Sequence, residues 1–127
     1  MKTCLAILMM LLPGFAMADV VDDIAAAIRS GNAHSVSVYF ADKVDLKVLE
    51  QENVYSSAQA ELILKDFFAK HPVKGFTVVH KSALKNDSQF AIGTLETGAG
   101  KYRVHYLIKI AGGKMTVTQL RIEPSDG

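Results

Sequence analysis

The sequence predicts an α+β domain: a curved antiparallel sheet wrapped around a long helix, with one or two helices ahead of it. Three observations carry that prediction. From Gln89 to Glu123 residues alternate in character between two Gly-containing breaks, Thr97-Gly98-Ala99-Gly100 and Ala111-Gly112-Gly113-Lys114, which is the pattern of a three-stranded meander. Ser56-x-x-Gln59 is a capping-box signature, and the apolar stripe behind it runs on until Pro72. Helical patterns precede the strands and almost none follow them, so the helices gather on one face of the sheet.

Taken in order, residues 1–18 have the parts of a secretory signal: Lys2, an apolar run from Leu5 to Leu12, and the small-residue site Ala16-Met17-Ala18. The run is too short to span a membrane. Cleavage before Asp19 is expected, leaving residues 19–127 as one domain with no membrane span. The single cysteine, Cys4, leaves with the signal, so the mature chain is held by its core without disulfides. A disulfide-free exported domain points to the periplasm or cell envelope of a Gram-negative bacterium.

Val20, Val21, Ile24, Ala27 and Ile28 then fall at helical spacing, with Asp22 and Asp23 in the first turn, Arg29 in the last and Gly31 beyond. The two aspartates read as partners of the helix dipole rather than as metal ligands. Asn32 caps a second short helical segment that is expected to run through Phe40. Val44, Leu46 and Val48 alternate with Asp45 and Lys47 as a half-exposed strand, which leads into the polar stretch Glu50 to Asn53. In the long helix, Ala60, Ile63, Leu64, Phe67 and Phe68 share a face. Phe76, Val78 and His80 are expected on one face of the next strand, and Asn86-Asp87-Ser88 turns the chain into the meander.

Composition excludes more than it names. Without Lys2 the chain carries 13 basic and 13 acidic residues, the lysines are scattered, and no basic stripe for nucleic acid exists. No histidine pair has the i, i+4 spacing of a helical metal site, so no metal and no cofactor is expected. Gly98-Ala99-Gly100-Lys101 lacks the spacing and the Ser or Thr of a phosphate loop, and no nucleophile motif is present.

The order of elements, together with the segments YSSAQAELILKDFFAKHP, AIGTLET, KYRVHYLIK and TQLRIE, resembles family 4783 of the domains of unknown function, a family of small exported bacterial proteins. The resemblance covers nearly all of residues 19–127. Through that family the chain resembles the nuclear-transport-factor-2-like, or cystatin-like, superfamily, whose cone commonly encloses a pocket between the long helix and the concave sheet. Members include isomerases, dehydratases and proteins without catalysis, so the resemblance implies a fold and leaves function open.

If the Gly112-Gly113 hairpin is regular, Ile110 pairs with Met115, Ile108 with Val117, Tyr106 with Gln119 and Val104 with Arg121, all on the inner wall. Tyr106, Gln119 and Arg121, with Phe67 and His80, are then the expected pocket lining. Arg121 either holds an anionic or carbonyl group of a small ligand or pairs with a carboxylate such as Glu123 or Asp66, the commoner arrangement. His80 is the one candidate for a catalytic base, since an imidazole on an apolar face suits acid–base work. On the opposite face Phe90, Ile92 and Leu107, with Leu120 and Ile122, form an apolar patch beside Thr94, Arg103 and His105, which is a motive for a homodimer. Three functions are compatible: a non-catalytic module binding a small apolar or anionic ligand or a protein partner, a cofactor-free lyase or isomerase using His80, and an assembly module acting through the outer face.

Overall fold

The computed structural model describes residues 19–125. The expected signal sequence lies outside the described residues.

Helix α1 spans Val20–Ser30. Asp19 caps it by accepting from the Val21 amide at 2.8 Å, and Gly31 closes it in the left-handed conformation with its N–H on the Ile28 carbonyl. Val21, Ile24, Ala25, Ala27 and Ile28 are buried on one side. Helix α2, Ala33–Ser37, is shorter than expected although Asn32 caps it as predicted. The reason is competition from the sheet: the Tyr39 carbonyl accepts from the Val117 amide at 2.8 Å, and Phe40 already belongs to strand β1.

Strand β1, Phe40–Val48, buries Val44, Leu46 and Val48 as the alternation requires. It turns through Leu49 and Glu50 into β2, Gln51–Ser56, a strand absent from the sequence-based expectation. β2 is an exposed edge strand with only Tyr55 half-buried, so its residues show no buried alternation to read. Ser56 then caps helix α3, Ser57–Lys70, through the predicted reciprocal box with Gln59. α3 buries Ala60, Leu64, Phe67 and Phe68.

Strands β3 (Val73–Lys81), β4 (Ser88–Thr97), β5 (Gly100–Ala111) and β6 (Lys114–Pro124) complete a six-stranded sheet in the order β2-β1-β6-β5-β4-β3. All neighbours are antiparallel except β1 and β6, which run parallel. Gly112 and Gly113 both take positive φ, as a two-residue hairpin needs. The β4–β5 hairpin turns at Gly98-Ala99, which places Phe90 opposite Leu107 and Ile92 opposite His105 as expected.

Three extra residues interrupt the antiparallel ladders and change the parity of the faces: Lys74, between Val73 and Gly75, and the two described next. In β6, Val117 pairs with Ile108 but Gln119 pairs with Leu107, leaving Thr118 as an unpaired bulge. In β3, Val78 pairs with Gly93 and His80 with Ile92, leaving Val79 as the extra residue. Beyond each bulge every side chain changes face. The helices cover the concave side, where α1 packs on β3 and β4 and α3 on β1. Arg29 joins α1 to the sheet by donating from Nε and Nη2 to the Phe76 carbonyl, both at 3.1 Å.

Gly93 sits under the Phe76 ring. A Cβ there would lie 2.4 Å from Phe76 Cζ and 2.6 Å from the Thr77 carbonyl oxygen. Because backbone blocks the way, Gly93→Ala is expected to cost about 1–3 kcal/mol. Urea unfolding of the variant, with a midpoint equal to that of the parent, would refute this packing.

Candidate functional site

The concave wall is filled rather than open. Tyr106, Leu46, Leu64, Leu95 and Ile108 are fully buried and occupy the space between the helices and the sheet. Tyr106, expected to line a pocket, is 0% exposed and donates its hydroxyl to the Val21 carbonyl at 2.8 Å. Burial pushes its phenol pKa far above the ordinary value, so it stays a neutral donor. Phe67 is also buried, stacked on His71 with centroids 4.2 Å apart and meeting Tyr102 edge-on at 5.4 Å.

The other three expected lining residues are elsewhere. The Thr118 bulge moves Gln119 and Arg121 to the outer face, pairing Tyr106 with Leu120 and Val104 with Ile122. Arg121 does have a carboxylate partner, but it is Glu52 of the unexpected strand β2, at 3.1 Å. This removes the motive for an anionic ligand on the inner wall. The same shift corrects the outer patch, because Leu120 and Ile122 are buried in the core and contribute nothing to an interface. His80 is turned outward by the Val79 bulge and is exposed, 5.6 Å from the Phe90 ring. No apolar enclosure surrounds it, so an inward-facing base at this position is not what the fold builds.

What the fold does build is an organised convex face. Across β2, β1, β6, β5, β4 and β3 runs a row of Glu52, Lys47, Arg121, His105, Ile92 and His80. Phe90 and Leu107 form the adjoining pair, and His105 stacks on Phe90 at 5.7 Å. Phe90, Ile92 and Leu107 are each half-buried within the chain. Toward β1 the face is polar: Lys47 binds Glu123 at 2.8 Å, beside the Arg121–Glu52 pair. Lys47 holds the Glu123 carboxyl below the usual carboxylate range.

His105 is the group on this face that the sequence reading did not single out. Its Nδ1 is buried and has no hydrogen-bond partner among the described residues. Burial, assisted by the neighbouring Arg121 cation, lowers its pKa below the ordinary 6.5, against a smaller opposite pull from Glu123. No pattern in the chain announces this, since the orphaned nitrogen results from pairing with β4 and β6.

A second feature is an open cleft of about 350 Å³ where the β1–β2 turn meets the C-terminal end of α3, bordered by Leu49, Ile63, Phe67 and His71. Among the described residues no group of three or more His, Cys, Asp or Glu is arranged to hold a metal ion. Among them, too, no helix is long and apolar enough to cross a membrane.

Two measurements check this geometry. Tyr106→Phe removes the bond to Val21 and is expected to lower stability by about 1 kcal/mol in urea titration, with the near-ultraviolet spectrum otherwise retained. His105 is a base whose folded pKa lies below its unfolded one, so the folded state binds fewer protons. Stability is therefore full above 6.5 and falls as the pH drops through 6.5 toward the lowered value. His105→Leu is expected to flatten that slope between about pH 7.5 and about pH 5.5; an unchanged slope places its origin elsewhere.

Comparison with known proteins gives these features a context. The profile of the domain of unknown function DUF4783 matches residues 21–123. A DUF4783 protein of Bacteroides uniformis has 30% identity and a TM-score of 0.80, with 86% of this chain and 100% of that chain covered. A Nostoc punctiforme domain of unknown function with a cystatin-like fold has 10% identity and a TM-score of 0.67, covering 84% of this chain and 74% of that one. A protein named Rd1NTF2_05 has 12% identity and a TM-score of 0.63, covering 81% of this chain and 92% of that one. The last two show the fold alone. No curated protein matches the chain. With the profile spanning nearly the whole described domain and a solved relative at this identity and coverage, the chain belongs to the DUF4783 family, on an NTF2-like, cystatin-like α+β fold.

Proposed function

We propose that this protein is an exported, non-catalytic assembly module that works in the bacterial envelope as a homodimer, joined through the outer face of its sheet. The observation that carries the reading is the division of labour between the two faces. The concave side, where a ligand pocket was expected, is occupied by Tyr106 and its neighbours. The convex side keeps Phe90, Ile92 and Leu107 together with no helix over them among the described residues.

A second copy suits that surface better than an unrelated partner. The flank carries both signs of charge, Lys47 and Arg121 beside Glu52 and Glu123, so a two-fold arrangement sets unlike charges opposite one another without excess of either. The apolar residues lie to one side of this flank, as a core beside a polar rim. Export rests on Lys2, the apolar run and Ala16-Met17-Ala18.

The small-ligand reading loses its inner pocket with the filling of the cone, and the lyase reading loses its base with the outward turn of His80. The experiment is sedimentation velocity on the purified protein and on Ile92→Glu. A dimeric parent and a monomeric variant with an unchanged circular dichroism spectrum are expected. A parent that stays monomeric at about 100 μM, well above the dissociation constants of specific dimers, overturns the assembly reading.

A further inference from the structure

We infer that the cleft between the β1–β2 turn and the end of α3 is a binding site for a small apolar molecule carrying a primary ammonium group. The site is remote in kind from the sheet face proposed for assembly and stands or falls independently of it.

Leu49 is the first indication. It takes a left-handed backbone conformation, φ 58°, which costs an L-residue with a Cβ about 1–2 kcal/mol and which a tight turn ordinarily assigns to Gly or Asn. Its amide is held by the Ile122 carbonyl at 2.9 Å, so the conformation is imposed by the sheet. In return a leucine side chain, packed against the core, forms part of an apolar floor with Ile63 and Phe67. The 350 Å³ of the cleft suits a molecule the size of one aromatic ring with a short chain.

The rim sets the chemistry. His71 Nδ1 lies 2.9 Å from the Phe67 carbonyl oxygen, and a carbonyl only accepts, so this nitrogen carries the proton. In the neutral ring Nε2 then keeps its lone pair as an acceptor, and the ring is fixed by stacking against Phe67 and by the Tyr102 edge. Of the charged groups on the rim, Lys70 and Asp66 neutralise each other at 3.2 Å, while Glu50 has no ion-pair partner among the described residues. The cleft therefore offers an apolar floor, one neutral acceptor and one uncompensated carboxylate. A cationic donor on an apolar body satisfies all three. An anion meets repulsion from Glu50, and the donor side chains on the rim are the neutral Gln51 amide and Lys70, the latter already paired with Asp66.

The test uses 2-phenylethylamine hydrochloride as the probe, with 3-phenylpropionate and 2-phenylethanol as matched controls, titrated into ¹⁵N-labelled protein purified from cells expressing the full chain. Saturable shifts for the amine at Leu49, Glu50, Ile63 and His71 are expected, with no saturation for the carboxylate and weaker binding of the alcohol. Glu50→Gln, an exposed turn substitution that leaves the fold intact, is expected to weaken the amine about threefold or more. His71→Phe keeps an aromatic ring for the stack but removes Nε2, and is expected to weaken it as well. Equal binding of amine and carboxylate, an affinity unchanged in Glu50→Gln with a native spectrum, shifts confined to the outer sheet face, or no saturable shift at all each overturn the assignment.

Discussion

The bulge at Thr118 is the constraint on which the arrangement of this protein turns. One unpaired residue in β6 puts Leu120 and Ile122 into the core and Gln119 and Arg121 on the outside. Without it the strand would turn the Arg121 guanidinium toward the core beside Val104, and an unpaired buried charge is among the most destabilising features a core can hold. The parallel β1–β6 pairing depends on the same irregularity. Its register also shifts between Phe40 and Asp45, opposite Val117 and Gln119.

From that parity follows the closing of the cone. Leu120 pairs with Tyr106, and the tyrosine then reaches across the concave side to the first turn of α1. α1 is held at its other end by Arg29 on the Phe76 carbonyl, and Phe76 in turn covers Gly93. Polar atoms join helix to sheet at backbone carbonyls in the interior and, at the solvent edge, through Lys81 of β3 on Asp19 and Asp22. The inner volume of the fold is here taken up by packing.

The polar residues displaced to the convex side are not idle there. Arg121 finds Glu52, Lys47 finds Glu123, and His105 is left between Phe90 and Arg121 with a buried nitrogen. The outer face is consequently ordered on its β1–β2 flank and apolar on its β4–β5 flank. The cleft at the β1–β2 turn arises from a different cause, the left-handed Leu49 that β1 needs in order to fold back as β2.

Much of this was legible in the sequence, because the signals are local. Caps at Asn32 and Ser56, the stripe of α3, the Gly112-Gly113 turn and the β4–β5 register each depend on residues a few positions apart. The family and the α+β class followed from their order. What tertiary structure decided was which face each residue after a bulge occupies, and hence the fate of His80, Gln119, Arg121 and Leu120. A strand has a period of two, so a single inserted residue reverses inside and outside, and the choice to insert it is made by the partner strands rather than by the strand itself. β2 escaped notice for a related reason: an exposed edge strand is held by backbone bonds to β1, and backbone bonds leave no trace in side-chain pattern.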